Sequence, residues 1–358
     1  MPPSPATIRF PPIADEDIGR LSQQGSVFAS LGWFELLART SMPDHAQALY
    51  LCCEGTGTED VACVPLLRRK ARGRNRLEGL SNFYSSIYHP ISTEPLVLRA
   101  ANDLAIYAAT AKPGIDVVDL RPLDASSTFF FSATKALQAQ GFWTDSYFCF
   151  GNWYLEVAGK TFEEYFQTRP SQLRNTARRG RKKLEAQNLQ IEVYTQNSPE
   201  LEAAISNYEA IYNSSWKQPE PFPSFIPELC RMTAARGWLR LGVLSLGDKP
   251  VAAQIWFVKD GTASIFKLAY IEEYAKQTVG TVLTTELMRR AIDEDKVEIV
   301  DYLSGDDPYK KDWMTHRRER RGIIAFSQRR TLGIYDAVIH FAAKALKSFR
   351  AKMGKKSN

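Results

Sequence analysis

The chain has 358 residues, 44% hydrophobic and 24% charged, a balance typical of a globular protein in water and a length that suits two domains. The net charge of +6 is unevenly placed: from Thr331 onward Lys344, Lys347, Arg350, Lys352, Lys355 and Lys356 stand against Asp336 alone. The rest is nearly neutral, which argues against a nucleic-acid-binding enzyme.

No run of about 18 apolar residues occurs, so no transmembrane helix is expected. The opening MPPSPATIRFPPIADEDIG lacks a basic segment followed by an apolar one and does not read as a signal peptide. Five cysteines (52, 53, 63, 149 and 230) give an odd count with no CxxC pair. That favours reduced thiols in a cytoplasmic protein over a disulfide framework or a zinc site.

In chain order, FASLGWFELLA predicts a helix, QALYLCC a strand, GTGTED a turn and VACVPLLRR a second strand, together a hairpin. After a loop ending near His89-Pro90 come a helix at DLAIYAATA, a strand at IDVVDLRPL, a helix at STFFFSATKALQAQ and a strand at SYFCFGNWYLEV. The segment TFEEYFQTRPSQLRNTARRGRKKLEAQ shifts in composition; Ser171, after Pro170, suits the cap of an Arg-rich helix. QIEVYTQ then reads as a strand, ELEAAISNYEAIYNSSW as a helix, and IPELCRMTAARG as a helix ending at Gly237. WLRLGVLSL, VAAQIWFV and ASIFKLAYI form a meander through the turns GDKP and KDG. A polar stretch, a helix at TVLTTELMRRAIDEDK, a strand at VEIVDYL and a strand at RGIIAFSQ close this half. The expected fold class is mixed α/β, mainly antiparallel, with helices on both sheet faces. Domain boundaries fall at 1–158 and 159–330, followed by a basic amphipathic helix at 331–358.

Several motifs point nowhere. GTGTED lacks the third glycine of a dinucleotide fingerprint and precedes a strand, as a hairpin turn does. His45, His89, His316 and His340 show no metal-ligand spacing, and no GxSxG elbow occurs, so no metal is expected. A better signal is AYIEEYAKQTVGTVLTTELM, where a strand ends and a helix begins near Gly280-Thr281. Free backbone N–H groups at such a start suit a phosphate or pyrophosphate, and Gly280 would let a ligand approach the backbone.

The order meander, loop, helix, strand and Tyr-bearing polar segment resembles the GNAT acyltransferase superfamily, whose loop grips the coenzyme A pyrophosphate. That loop reads Gln/Arg-x-x-Gly-x-Gly/Ala. Gln277-Thr278-Val279-Gly280-Thr281 follow it, and Val282 departs from its last position. TRPSQLRNTARRGRKKLE, AAQIWFVKDGTASIFKLAYIEEYAKQTVGTVL and VDYLSGDDPYKKDWM together resemble the CelD-type branch, often linked to cellulose or exopolysaccharide production and related to the FemAB peptidyltransferases. The likeness covers roughly residues 160–325. In element order alone, the first half is similar to the degenerate first GNAT-like unit of FemAB-type proteins, giving two tandem units.

The resemblance implies an acyl-CoA-dependent, most simply acetyl-CoA-dependent, N-acyltransferase. Its acceptor would be a small amine such as an amino sugar or its nucleotide-linked form. It assigns Tyr309 or Lys310 to polarising or protonating the thioester, Asp306 or Asp307 to binding or deprotonating the amine, and Asp301 to orienting them. The structural alternative has Asp306 capping a helix that starts with Pro308, and Tyr309 packing on Trp313 at i, i+4. Two rival functions follow from the same resemblance: a FemAB-like transferase using aminoacyl-tRNA, against which the lack of an extended heptad pattern counts, and a non-catalytic accessory protein of polysaccharide synthesis.

Lys267, by alternation on the side of Ile265 and Ala269, is either an active-site lysine or one snorkelling at an edge. Arg174 and Arg178 lie one helical turn apart and either hold a phosphate or are simply solvated. The tail IYDAVIHFAAKALKSFRAKMGKK either lies on an anionic membrane surface or packs on its own protein.

Overall fold

The computed structural model describes residues 7–10, 25–54 and 61–354. The turn expected at GTGTED lies outside them. In chain order the elements are β1 (Thr7–Arg9), α1 (Leu31–Thr40), β2 (Ala46–Glu54), β3 (Val61–Ala71), β4 (Arg74–Gly79), β5 (Ile91–Ser92), α2 (Glu94–Thr110), β6 (Val117–Asp124), α3 (Thr128–Ala139) and β7 (Phe142–Glu156). They continue with α4 (Phe162–Gln167), α5 (Ser171–Glu185), β8 (Leu189–Tyr194), α6 (Pro199–Asn213), α7 (Phe225–Ala235), β9 (Leu239–Leu246), β10 (Lys249–Lys259) and β11 (Thr262–Tyr270). The last are α8 (Val279–Asp293), β12 (Ile299–Asp301), α9 (Lys310–Trp313), β13 (His316–Ser327) and α10 (Thr331–Gly354). The fold is mixed α/β and mainly antiparallel.

Two compact units result, divided differently from the sequence expectation. One contains Phe28–Cys149 and the chain from Glu319 onward; the other contains Phe150–Arg318. The C-terminal strand returns to the first unit because Arg320–Phe326 of β13 pair with β6. The basic helix α10 belongs to that unit too, rather than standing apart.

In the first unit the strands run β1-β2-β3-β4-β6-β13. Strand β4 escapes sequence reading because four of its six residues are polar: Arg74, Asn75, Arg76 and Glu78. Its charges are satisfied locally, with Arg69 and Arg76 both donating to Glu78. Cys52 and Cys63 stand directly opposite on β2 and β3 and are paired as a disulfide, against the expectation of five reduced thiols. Strand register creates that pairing, and cysteine spacing does not reveal register.

In the second unit the order is β7-β12-β11-β10-β9-β8. Strand β10 pairs antiparallel with β9 and β11, while β11 and β12 run parallel. One face carries α8, whose Val279, Val282, Leu283 and Leu287 pack with Leu244, Ala252 and Trp256. Their spacing puts them on one helical stripe, and each side chain buried here contributes on the order of 1.5–3 kcal/mol. Helix α6 packs on β10 as well, through Leu201, Ala204, Ile205 and Tyr208. Ser171 is the first helical residue of α5 and caps nothing, since Pro170 occupies the cap position. Gly237 does end α7, at φ 72°.

Candidate active site

Strands β11 and β12 pair only over Thr262–Ser264 and Ile299–Asp301. Beyond that β11 continues to Tyr270, while the chain after Asp301 turns away, so the two parallel strands diverge. Leu303 (φ 54°) and Gly305 (φ 101°) make the turn. At the far end of β11 a short 3-10 helix, Glu272–Gln277, leads into α8.

Helix α8 starts from Thr278 in the left-handed region, φ 60° and ψ 27°, with no side chain capping its first N–H groups. The first intrahelical bond shown is Val282 N–H to Thr278 O, 3.1 Å. The N–H groups of Val279, Gly280 and Thr281 are thus the orphan donors of a helix start, with the positive end of its dipole behind them. The Thr278 hydroxyl oxygen is buried and unpartnered, and a Cβ at Gly180 of α5 would come within 2.2 Å of it. Gly180 lets α5 pack directly on the start of α8. Gln277, in turn, accepts from the side-chain amide of Gln187 at 3.0 Å.

Gly280 serves packing. A Cβ there would meet Leu268 and Tyr270 at 3.2 Å, so the missing side chain brings α8 close onto the end of β11.

Tyr270 is the hub around which other groups gather. Its ring lies 4.5 Å from that of Trp216. Next to Trp216, the Lys217 ammonium donates to the carbonyl of Leu268, within the part of β11 that has diverged from β12. It also sits 5.5 Å from the centroid of Tyr212. Burial, then the charge of Lys267, pushes Lys217 down to about 8, with Glu220 opposing. Lys267 is ion-paired with Glu220 and lies 5.2 Å from the same Tyr212 ring. Alternation misplaces Lys267 by half. A bulge at Phe266 shifts the register, so Lys267 pairs with Ile255 whereas Ile265 pairs with Trp256. Lys267 therefore shares a face with Ala269 but not with Ile265.

The segment after β12 is bound tightly to its surroundings. Asp301 is buried and accepts from the Asn152 amide (2.6 Å), Leu303 N–H (2.7 Å) and Arg318 (2.5 Å). Asp306 accepts from the Trp153 indole (2.7 Å) and from Arg317, whose hydrogen bonds hold its carboxyl below the usual carboxylate range. Lys310 is 5% exposed and donates to the carbonyls of Ser304 (2.6 Å), Tyr302 (3.3 Å) and Gly305 (3.3 Å), with Asp307 3.4 Å away. Burial lowers its pKa against the pull of Asp307.

Asp306 does not cap α9, and Tyr309 does not pack on Trp313. The helix is only four residues long, Asp306 faces Arg317, and Tyr309 stands edge-on to Tyr302 at 5.8 Å. Tyr309 is half exposed, yet burial of its hydroxyl and the charge of Asp307 push its pKa up to about 12. The Tyr302 hydroxyl is buried, and burial raises its pKa; nearby, Thr284 donates to Gln254 at 3.0 Å. Tyr309 also feels the Tyr270 hydroxyl. The start of α8 and the Trp216–Lys217 pair thus meet at the Leu268–Tyr270 end of β11, and the Tyr309 ring stands against Tyr302.

Other expected groups lie elsewhere. Arg174 donates to Arg169 O (3.1 Å) and Gln167 (2.7 Å), securing the start of its own helix, while Arg178 is solvent-exposed. The cleft lined by Arg240, Arg290, Glu294 and Asp295 is at the opposite end of α8, about 22 Å from the free amides by helical rise. Its Arg240 is already paired with Asp295. Sequence reading missed Lys217 and Glu220, because both follow a helix in a stretch with no periodicity. A Trp-Lys pair next to a proline-rich turn was the one available signal.

Residues 171–311 match the family model described as an acetyltransferase (GNAT) domain. The matched stretch lies within the second unit and includes the groups just described. Among solved structures, FemX is 12% identical with a TM-score of 0.62, covering 93% of this chain and 99% of that one. L-PGS from Bacillus licheniformis is 13% identical with a TM-score of 0.55, covering 92% and 96%. A conserved protein of unknown function from Bacteroides thetaiotaomicron is 10% identical with a TM-score of 0.58, covering 90% and 100%. At such identities the likeness is one of fold. No curated protein matches.

Proposed function

We propose that the chain is an N-acyltransferase that moves an acyl group, most simply acetyl, from coenzyme A to a small amine. One observation carries the reading: the uncapped start of α8 opens beside the diverged end of β11, where Lys217 bonds the carbonyl of Leu268. In this reading the N–H groups of Val279, Gly280 and Thr281, with Gln277 and Thr278 shaping the loop, hold the donor's diphosphate. The pantetheine arm then runs along the free edge of β11.

The amine nitrogen attacks the thioester carbon, the C–S bond breaks, and two protons move. Neutral Lys217, favoured by its lowered pKa, takes the proton from the attacking amine. Tyr309, kept protonated by its raised pKa, gives its proton to the departing thiolate and regains one through water as Lys217 releases the proton it took. Asp301, Asp306 and Lys310 hold the Tyr309 loop in place through the contacts above, and Asp307 bears on Tyr309 and Lys310 electrostatically. Lys267 stays with Glu220 and sets the charge of Lys217. An amino sugar or its nucleotide-linked form is the proposed acceptor, in polysaccharide synthesis of the CelD type.

A second reading takes aminoacyl-tRNA as donor. It draws on the exposed basic face of α5, which carries Arg178, Arg179, Lys182 and Lys183. Against it, among the described residues no helix of the second unit exceeds 15 residues, so no long helical pair is described there for a large RNA.

Thiol release from acetyl-CoA over a panel of amines, run beside aminoacyl-tRNA transfer, tests both. Release is expected, with Tyr309→Phe lowering kcat by about 10²- to 10⁴-fold. Lys217→Met should abolish a rise in kcat with an apparent pKa near 8. Transfer from aminoacyl-tRNA alone would select the second reading. Activity with neither donor would favour a non-catalytic accessory role.

A further inference from the structure

Helix α10 is amphipathic in a way its own unit does not use up. One face is packed. A Cβ at Gly333 would meet the carbonyls of Ser327 (2.6 Å) and Asp116 (2.9 Å), so the helix lies against backbone there. Ala337 is 2% exposed against Val117 and Phe326, and His340 and Lys344 both bond Asp145, at 2.8 and 2.5 Å. These residues recur at i, i+4, i+7 and i+11, a single helical stripe.

The opposite stripe is apolar and faces water. Tyr335 is 57% exposed, Val338 62%, Ile339 50% and Leu346 51%, a spacing of i, i+3, i+4 and i+11. Lys347 and Arg350 flank its C-terminal end and are exposed, and Lys352, Lys355 and Lys356 follow in the chain. The only acid of the helix, Asp336, is already held by Arg74 at 2.9 and 3.0 Å. The exposed face therefore combines apolar side chains with uncompensated positive charge.

We propose that this stripe seats α10 in the plane of an anionic lipid surface, with Tyr335, Val338, Ile339 and Leu346 entering the acyl boundary and Lys347 and Arg350 meeting headgroups. Charge selects the occupant. A second copy would add another net positive helix and no free acid, whereas an anionic bilayer complements Lys347 and Arg350. None of the described helices is long and apolar enough to cross a membrane, so the helix lies on the surface.

Co-sedimentation of the full chain with phosphatidylcholine vesicles, with and without phosphatidylglycerol, tests this. Binding is expected only with phosphatidylglycerol and should weaken as salt rises. Lys347→Glu/Arg350→Glu should weaken it by about fivefold or more for each charge removed. Val338→Glu/Ile339→Glu should weaken it comparably, with an unchanged melting temperature, since neither side chain is packed. Binding that ignores phosphatidylglycerol, or no binding, would overturn the proposal. So would a soluble dimer that Val338→Glu dissolves, since a second copy would then cover the stripe.

Discussion

The two units repeat one order of elements: β2-β3-β4, then α2, then the parallel strand β6 in the first, and β9-β10-β11, then α8, then the parallel strand β12 in the second. They part where the helix begins. In the second unit a short connection delivers an uncapped helix start to the mouth between the diverging strands. In the first, the chain between β4 and α2 folds back into its own mouth. Tyr88 is fully buried there: its N–H donates to Pro122 O (2.6 Å), its hydroxyl to Pro65 O (2.8 Å), and a Cβ at Gly79 would lie 3.0 Å from its ring. Pro95, in the first turn of α2, also removes one of the free N–H donors an anion would need. The same scaffold thus leaves a helix start facing the mouth or fills the mouth with a solid core, depending on one loop.

The sharpest way to break this contrast is Tyr88→Ala. Removing a fully buried aromatic from the first unit should cost about 3–5 kcal/mol of stability, read by denaturant unfolding, with donor affinity unchanged at temperatures where the protein stays folded. Loss of donor binding in a folded variant would mean that the first mouth contributes to the site.

Gly180→Ala comes next. Its Cβ must displace the Thr278 hydroxyl, and overpacking of this kind costs about 1–3 kcal/mol. Because the strain falls on the start of α8, weaker donor binding should accompany the lower melting temperature.

An acid-stability effect is smaller. Glu286 loses solvation by burial, yet bonds from Arg289 and Arg290, with Arg181 also donating, hold it down to about 2. Its folded pKa lies below the unfolded one, so its contribution is complete above about pH 4.5 and disappears as pH falls towards 2. Glu286→Gln should flatten the stability curve over that window and leave it parallel above.

The smallest effect has opposite signs in two measurements. Thr281→Asp puts a carboxylate at the third position of α8, where the helix dipole favours it by about 0.3–1 kcal/mol. Stability should therefore rise slightly while the affinity for acetyl-CoA falls. A variant that binds the donor as well as the parent would remove the diphosphate from this helix start.

Much of the second unit was legible because its signals are local. Meander turns and the apolar stripe of α8 are both set by neighbours in sequence. What stayed hidden depends on partners far along the chain. The polar strand β4 is stabilised by ion pairs rather than by an apolar face, and the Cys52–Cys63 pair depends on register. The bulge at Phe266 turned Lys267 away from Ile265. The same limit applies to the loop after β12. Its charged residues stand out in the sequence, but that Asp301, Asp306 and Lys310 are engaged by Arg318, Arg317 and backbone carbonyls follows only from the fold. Lys217 was missed because its neighbours Leu268 and Lys267 lie some fifty residues away.

Isothermal titration of the intact chain with acetyl-CoA tests the contrast between the units most directly. One site per chain is expected, weakened in Thr281→Asp and unchanged in Tyr88→Ala. Absence of heat, a second equivalent site, or binding that survives Thr281→Asp unchanged would contradict it.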